Sequence, residues 1–272
     1  MQDFRDFAVL IAREAGRFLK QRLNHKHTID YKGEINIVTE EDKMSEEIII
    51  SRIRKNFPSH GILAEESEEI GGSGYRWIID PLDGTTNYAH GYPVFCVSIA
   101  LEREGKVVLG VIFNPVLDEI FVAEDGKGAF LNKRRIRVST TADLSLGLLA
   151  TGFPYDIREN RDNNLNYFVG LATRVQAIRR AGSAALDLAY TACGRFDAFW
   201  ELKLRPWDTA AGCLLVKEAG GVVTDLFGRP FLLDSPHILA SNGKMHDRLI
   251  RYFKETDPFF HSDSFARPHE IR

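Results

Sequence analysis

The sequence predicts an α+β fold with layered sheets and helices in two halves. Apolar residues recur at helical spacing over residues 4–23, and a second helical pattern follows. From about residue 61 the pattern changes to short apolar strands, separated by turns such as "EGK" and "EDGKG" that are typical of antiparallel hairpins. After about residue 140, strand and helix patterns alternate. These observations together indicate a mixed α+β protein.

The first half begins with two predicted helices. Thr39 and Asp42 have the spacing of a capping box at the start of the second helix, and Pro58 ends it. Six strands are then predicted, at "GILAE", "YRWIID", "FCVSIALERE", "KVVLGVIFNP", "EIFVAED" and "GAFLN". Between the second and third of these strands, "TTNYAHGY" is predicted to begin a short helix.

The second half alternates strands with helices. Strands are predicted at "LLATGF", "QAIRRAG", "DAFWEL", "GVVTDL" and "HILAS", and helices at 160–174, "SAALDLAYTACG", "WDTAAGCLLVKEAGG" and 243–254. A weak boundary falls near residue 140, in "RVSTTADLS". We expect halves 1–140 and 141–255 to form one compact catalytic unit, followed by a tail, 256–272, that has no clear period.

The composition is that of an ordinary soluble globular protein, with 44% hydrophobic residues, 27% charged residues and a net charge of −3. This balance gives no electrostatic case for binding nucleic acid. No stretch approaches the roughly 20 apolar residues that span a bilayer, and "MQDFRDFAVLIAREAG" does not resemble a secretory signal. We therefore expect a cytoplasmic protein that does not enter a membrane, with Cys96, Cys193 and Cys213 as buried free thiols.

Acidic side chains stand at the ends of several apolar segments. Glu65 and Glu66 follow "GILA", Asp80 and Asp83 follow "RWII", and Asp208 follows "RPW". Strand ends followed by turns deliver side chains to pockets, and carboxylates buried together need cations. Oxygen ligands without histidine or cysteine nearby favour Mg²⁺ or Mn²⁺ over zinc.

The segment "DPLDGTTNY" has the construction of a metal and anion site. The spacing lets Asp80 and Asp83 share one ion while the carbonyl of Leu82 faces another. Gly84 allows close backbone approach, and the amides of Gly84 and Thr85 at a helix start are suited to an anion. Metal ions beside an anion site suggest a phosphate ligand.

Each feature taken alone also has a simpler interpretation. Asp-Pro-x-Asp-Gly is often a surface turn, and a pair of glutamates is often on a solvated helix or loop face. Asp42 and Asp208 have the positions of ordinary helix caps.

Three segments together resemble the inositol monophosphatase family: "AEES" (64–67), "WIIDPLDGTTNY" (77–88) and "WDTAAGCLLVKEAGG" (207–221). The last two match the family's signature motifs in order and spacing, and the resemblance runs from about residue 4 to 255. One departure is Ala64, where the family usually has glycine; this affects backbone closeness and not metal ligation.

The resemblance implies a five-layer αβαβα sandwich of the sugar-phosphatase type, a homodimer, and Mg²⁺-dependent, lithium-sensitive phosphatase activity on a sugar or polyol phosphate. Residues 1–140 would carry most metal ligands, and residues 141–255 would carry Asp208 and the substrate loops. Lys32 lies where the family has a mobile basic loop.

The resemblance also implies roles for individual residues. The ligands of two to three Mg²⁺ ions, with Mn²⁺ as a substitute, would be Glu65, Asp80, the Leu82 carbonyl, Asp83 and Asp208. The attacking water would be oriented by Glu65, Thr85 and Asp42. The substrate would be held by Asp83, Gly84, Thr85, Gly182, Ser183, Ala184, Glu201 and Asp208.

We expect hydrolysis of myo-inositol 1-phosphate to inositol and phosphate by metal-activated water. Fructose-1,6-bisphosphatase, alone or as a second activity, is the alternative enzyme. Thr86 and Asn87 stand where the 3′-phosphoadenosine phosphatase branch has Lys-Glu, which disfavours that branch. A non-catalytic scaffold protein would be expected to have lost a ligand, and all four acidic ligands are present.

Overall fold

The computed structural model describes residues 2–257 except 26, 27, 32 and 34. The expected basic loop residue Lys32 and the tail from residue 258 therefore lie outside the described residues. Within the described part of the chain, no helix combines the length and the apolar character needed to cross a bilayer.

The described elements follow the order of the predicted ones closely. The helices are α1 (Gln2–Arg22), α2 (Glu40–Asn56), α3 (Thr85–Ala89), α4 (Leu165–Ala172), α5 (Ala184–Ala192), α6 (Pro206–Glu218) and α7 (His246–Thr256), with a 3₁₀ turn at Leu144–Leu146. The strands are β1 (Ile29–Tyr31), β2 (Ile37–Thr39), β3 (Gly61–Ala64), β4 (Tyr75–Asp83), β5 (Cys96–Arg103), β6 (Lys106–Asn114), β7 (Glu119–Glu124), β8 (Gly128–Leu131), β9 (Arg134–Arg135), β10 (Leu148–Thr151), β11 (Ala177–Arg179), β12 (Ala198–Leu202), β13 (Val222–Thr224) and β14 (His237–Ser241).

Two large sheets organise these strands. The first has seven strands in the order β3-β4-β5-β6-β7-β8-β9, and the second has five in the order β11-β10-β12-β14-β13. In the first sheet β3 and β4 are parallel, whereas the remaining neighbours are antiparallel. Because β3 and β4 point the same way, the acidic residues that follow or end them lie at one edge of the sheet.

The two sheets and the helices form five layers, because apolar side chains pack in three separate clusters. One cluster joins α1 and α2 to one face of the seven-stranded sheet. A second joins the opposite face of that sheet to α5, α6 and the five-stranded sheet. The third joins the remaining face of the five-stranded sheet to α4 and α7. The expected α+β fold with αβαβα layering is confirmed.

One predicted helix was wrong in extent, and one small sheet was not predicted. The helix expected at 160–174 begins at Leu165 instead. Asn160 and Asn163 accept hydrogen bonds from backbone amides two residues further along, and such local bonds compete with helix formation. The short pair β1–β2 was missed because three-residue strands carry little periodic signal.

Candidate active site

A cavity of about 800 Å³ opens where the two halves of the chain meet. Its wall comes from the end of β4, the starts of α3, α5 and α6, the end of β12, and the loop after β10. Of the predicted site residues, those on the wall are Glu65, Asp80, Leu82, Asp83, Gly84, Thr85, Gly182, Ser183, Ala184, Glu201 and Asp208. Residues from sequence positions more than a hundred apart therefore share one cavity.

Asp42 lies behind this wall and contacts it through Thr85. The Thr85 hydroxyl lies 2.8 Å from Asp42 Oδ1 and 3.1 Å from the carbonyl oxygen of Leu82. The other oxygen of Asp42 accepts bonds from the backbone N–H and the hydroxyl of Thr39 at 2.8 and 2.6 Å. Asp42 is therefore both the cap expected for α2 and a partner of the predicted catalytic Thr85. Burial raises its pKa to about 6, although these hydrogen bonds oppose the rise.

The end of β4 holds the Asp80 carboxylate through a backbone bond. The N–H of Leu82 donates to Asp80 Oδ1 at 3.0 Å. Gly84 has a φ of +98°, and a Cβ there would lie 2.9 Å from the Val94 carbonyl oxygen. Only glycine fits that position without strain, because the conformation is left-handed and the neighbouring backbone is close.

Asp83 joins the two halves of the chain. Its Oδ2 accepts hydrogen bonds from the Ser183 hydroxyl at 2.6 Å and from the Ala185 N–H at 2.8 Å. These donors lie at the start of α5, where a negative side chain is favourable. Burial raises the pKa of Asp83, and the bonds from Ser183 and Ala185 lower it.

The acidic wall fits a divalent cation by its donor chemistry. Burial raises the pKa of Asp80 well above its usual range, and the charges of Glu65, Asp83 and Asp208 raise it further. Burial also raises the pKa of Asp208 well above its usual range, although its Oδ2 accepts a hydrogen bond from the Arg205 N–H at 2.6 Å, which opposes the rise.

Buried carboxylates of this kind repel one another unless a cation or proton offsets their charge. Oxygen-only donor sets of this kind are those that Mg²⁺ and Mn²⁺ prefer. Within the described residues, no three acidic, histidine or cysteine side chains already converge as a closed ligand cluster. The predicted ligand set therefore stays a prediction.

Glu201 faces the part of the cavity expected to hold the sugar. Burial raises its pKa to about 8, and the charge of Arg180 opposes this rise. A Cβ at Gly152 would lie 2.1 Å from a Glu201 carboxylate oxygen, so the glycine leaves the space that the carboxylate occupies. The side chain is thus confined between the loop after β10 and the cavity.

Several wall residues were not predicted from the sequence. Asp187, Arg180, Lys203 and Tyr155 all line the cavity. Asp187 could have been found as the one charged residue in the apolar helix "AALDLAYTA", because a charge in such a helix needs a reason to be buried. Arg180, Lys203 and Tyr155 carry no comparable sequence signal, because basic and aromatic residues are common in exposed loops.

Comparison with known proteins finds relatives over nearly the whole chain. The sequence model of the inositol monophosphatase family matches residues 1–257. An inositol-1-monophosphatase from a Synechocystis species is 47% identical over 238 residues, covering 87% of this chain and 83% of that protein. A Nus factor SuhB from Pseudomonas aeruginosa is 46% identical over 258 residues, covering 92% of this chain and 95% of that protein.

A solved structure has the same fold. The inositol monophosphatase from an Anabaena (Nostoc) species superimposes with a TM-score of 0.87 at 47% identity, covering 94% of this chain and 97% of that chain. Fold and sequence similarity therefore extend together over both halves of the molecule.

Proposed function

The chain belongs to the inositol monophosphatase family, and we propose that it is a Mg²⁺-dependent phosphomonoesterase that hydrolyses myo-inositol 1-phosphate and similar polyol phosphates. The observation that supports this proposal is the cavity wall, which Glu65, Asp80, Asp83 and Asp208 all line together with the start of α3. Several carboxylates on one wall repel an anionic substrate, so we infer that a bound cation offsets their charge.

The proposed cation ligands are Glu65, Asp80, the Leu82 carbonyl, Asp83 and Asp208. Bound Mg²⁺ supplies charge that neutralises a phosphate group and Lewis acidity that makes water a better nucleophile. Two to three ions are proposed, with Mn²⁺ as a functional substitute.

The remaining residues would orient water and substrate. The Thr85 hydroxyl donates to Asp42, so its oxygen lone pairs face away from that bond and are suited to accept a hydrogen bond from water. Glu65 would hold the same water from the other side. The polyol would be held by Glu201 and by the start of α5 at Gly182, Ser183 and Ala184. Orientation of this kind contributes several kcal/mol to catalysis, on the order of 7–11 kcal/mol at most.

The test is phosphate release from myo-inositol 1-phosphate with and without Mg²⁺, compared between wild type and Asp83→Asn. Asparagine keeps one oxygen to accept from Ser183 and Ala185, so the fold is expected to be retained. The rate should fall by at least about a hundredfold, because even a group that only supports a metal ligand is worth roughly 10- to 100-fold. Asp247→Asn, an exposed aspartate on α7, is the control. Full Mg²⁺-dependent activity in Asp83→Asn would refute the metal assignment.

A second candidate is hydrolysis of fructose 1,6-bisphosphate, favoured by cations on the cavity wall. A Cβ at Gly182 would lie 2.7 Å from a guanidinium nitrogen of Arg180, so this guanidinium lies over the proposed sugar site. Lys203 also lines the cavity, where its Nζ pairs with Asp156 at 2.7 Å. These charges suit a second phosphate group.

A kcat/KM panel over inositol phosphates, fructose 1,6-bisphosphate and adenosine phosphates separates the candidates. A preference for fructose 1,6-bisphosphate would replace myo-inositol 1-phosphate as the proposed substrate.

We further propose that the protein acts in the cytoplasm as a homodimer. Light scattering of the purified chain would test the homodimer.

One relative bears the name Nus factor, so a scaffold role beside catalysis is compatible with the fold. A sole scaffold role is disfavoured because the acidic ligands are retained. Lithium sensitivity, which is proposed with the metal site, is measured in the same phosphate-release assay.

A further inference from the structure

We propose that Ser45 and Glu46 on α2 are positioning residues, which orient the carboxylate-bearing ends of β3 and β4 for a divalent cation. This inference rests on the proposed function, since it concerns the residues behind the proposed cation ligands. Both side chains lie behind the cavity wall and not on it. Neither would touch the substrate or the cation.

Asp42, Ser45 and Glu46 form one polar face of α2. Their spacing of i, i+3 and i+4 places them on the same side of a helix, and each is at most 4% exposed. A buried helix face is ordinarily apolar, so polar side chains there require hydrogen-bond partners. Each of the three has a partner in a different segment of the candidate site.

Ser45 acts on the peptide between Pro81 and Leu82. Its hydroxyl donates to the Pro81 carbonyl oxygen at 2.8 Å. The N–H of the same peptide, that of Leu82, donates to Asp80 Oδ1 at 3.0 Å. Because a peptide group is planar, its carbonyl and its N–H turn together. Ser45 therefore fixes the orientation of the amide that orients the Asp80 carboxylate.

Glu46 acts on the peptide between Glu65 and Glu66. Its Oε2 accepts the N–H of Glu66 at 2.9 Å. Because the peptide is planar, this bond also fixes the orientation of the Glu65 carbonyl group. The side chain of Glu65 lines the cavity. A hydrogen bond to a charged acceptor is also stronger than a neutral one. Glu46 therefore restrains the backbone from which Glu65 projects.

The two restraints act across neighbouring strands. β3 and β4 are parallel partners, with Ala64 opposite Ile79, so Glu65 and Asp80 follow at adjacent strand ends. α2 spans both ends and is bonded to each. Ligands that are already oriented lose less freedom when a cation binds, which makes binding tighter. Loss of either restraint should therefore weaken cation binding, while the fold and the rate at saturating Mg²⁺ should change little.

The test measures the dissociation constant for Mn²⁺ alone, from the free-ion electron paramagnetic resonance signal of the full chain. Ser45→Ala removes the donor, and Glu46→Leu removes the acceptor. Glu46→Gln keeps an acceptor oxygen and is the conservative variant. Matched controls on the same helix are Ser51→Ala, whose hydroxyl donates to Ile48 of its own helix, and Glu47→Leu at an exposed position. Circular dichroism and melting curves establish that each variant is folded.

Ser45→Ala and Glu46→Leu should bind Mn²⁺ about 10- to 100-fold more weakly, the range found for groups that support metal ligands. Glu46→Gln should recover most of the affinity, and the two controls should match wild type. Phosphate release should need more Mg²⁺ for half-maximal rate while approaching the wild-type rate at saturation. If Glu46→Leu does not fold, Ser45→Ala decides the question.

Wild-type Mn²⁺ affinity in folded Ser45→Ala and Glu46→Leu would overturn the inference, as would an equal loss in the controls. Asp208→Asn separates this result from failure of the proposed function. If Asp208→Asn binds Mn²⁺ as wild type does, the proposed cation site itself is wrong. If Asp208→Asn weakens binding and the α2 variants do not, only the positioning role is wrong.

Discussion

At the scale of single residues, Glu201 shows how burial couples a functional carboxylate to stability. Its pKa is raised to about 8 because the side chain is buried, whereas in an unfolded chain its pKa would be near the ordinary value of 4.5. The folded protein therefore binds the proton more tightly than the unfolded chain between these values. Stability from this group is present at low pH and is lost as pH rises through that window.

Glu201→Gln removes this titration. In the cation-free protein the variant should be more stable than wild type at pH 8, by a few kcal/mol at most since each pKa unit corresponds to about 1.4 kcal/mol. The two proteins should differ little at pH 4.5. Urea unfolding at both pH values measures the difference, with the exposed Glu159→Gln as control. If the variant and wild type differed in stability by the same amount at both pH values, the raised pKa of Glu201 would be contradicted.

At the scale of elements, α6 is held at both ends by carboxylates. At its start Asp208 accepts the Arg205 N–H, and in its last turn Glu218 accepts the amides of Gly126 and Gly128 at 2.8 and 2.6 Å. Gly126 lies in the turn between β7 and β8, and Gly128 is the first residue of β8. The helix that delivers Asp208 to the cavity is therefore bonded at its far end to the β7–β8 hairpin of the seven-stranded sheet.

Glu218→Gln leaves one oxygen to accept from two amides. The free energy of unfolding should fall by about 1–3 kcal/mol, the cost of leaving a donor without its charged partner. Glu255→Gln, at an exposed position on α7, is the matched control. Urea denaturation measures both, and equal stability of Glu218→Gln and wild type would show that this tie contributes nothing.

At the scale of the whole molecule, the central helical layer lies very close to the seven-stranded sheet. A Cβ at Gly110 of β6 would lie 2.7 Å from the Ala211 carbonyl oxygen and 2.9 Å from its Cα. These are backbone atoms, which cannot rotate away as a side chain does. Ala211 follows Asp208 by less than one helical turn, so the distance between layers also sets the position of that carboxylate.

Gly110→Ala should therefore push α6 away from the sheet. Overpacking of this kind destabilises by about 1–3 kcal/mol or more, and Mg²⁺-dependent phosphate release should fall with it. Gly71→Ala is the control, because no atom lies within 4 Å of a Cβ there. Thermal unfolding and the activity assay test the two effects, and a Gly110→Ala protein with wild-type stability would contradict the close approach.

Much of the fold was predictable because its signals are local. Helical periodicity identified α1 and α2, and short apolar segments separated by turns identified most strands of both sheets. The early part of the 160–174 helix was wrong because asparagine side chains formed local turns there, a competition that periodicity does not record. The motifs also identified the carboxylates of the cavity wall by residue type and order.

The sequence by itself determined the α+β class, the family and the acidic residues that line the cavity, since each depends on neighbouring residues or on a motif. Only the tertiary structure decided how those residues are held. Asp83 caps a helix a hundred positions further along the chain, and Ser45 and Glu46 reach peptides 36 and 20 positions away. Such contacts depend on how the layers pack, and no local pattern of residues encodes the direction in which a buried side chain meets a distant backbone.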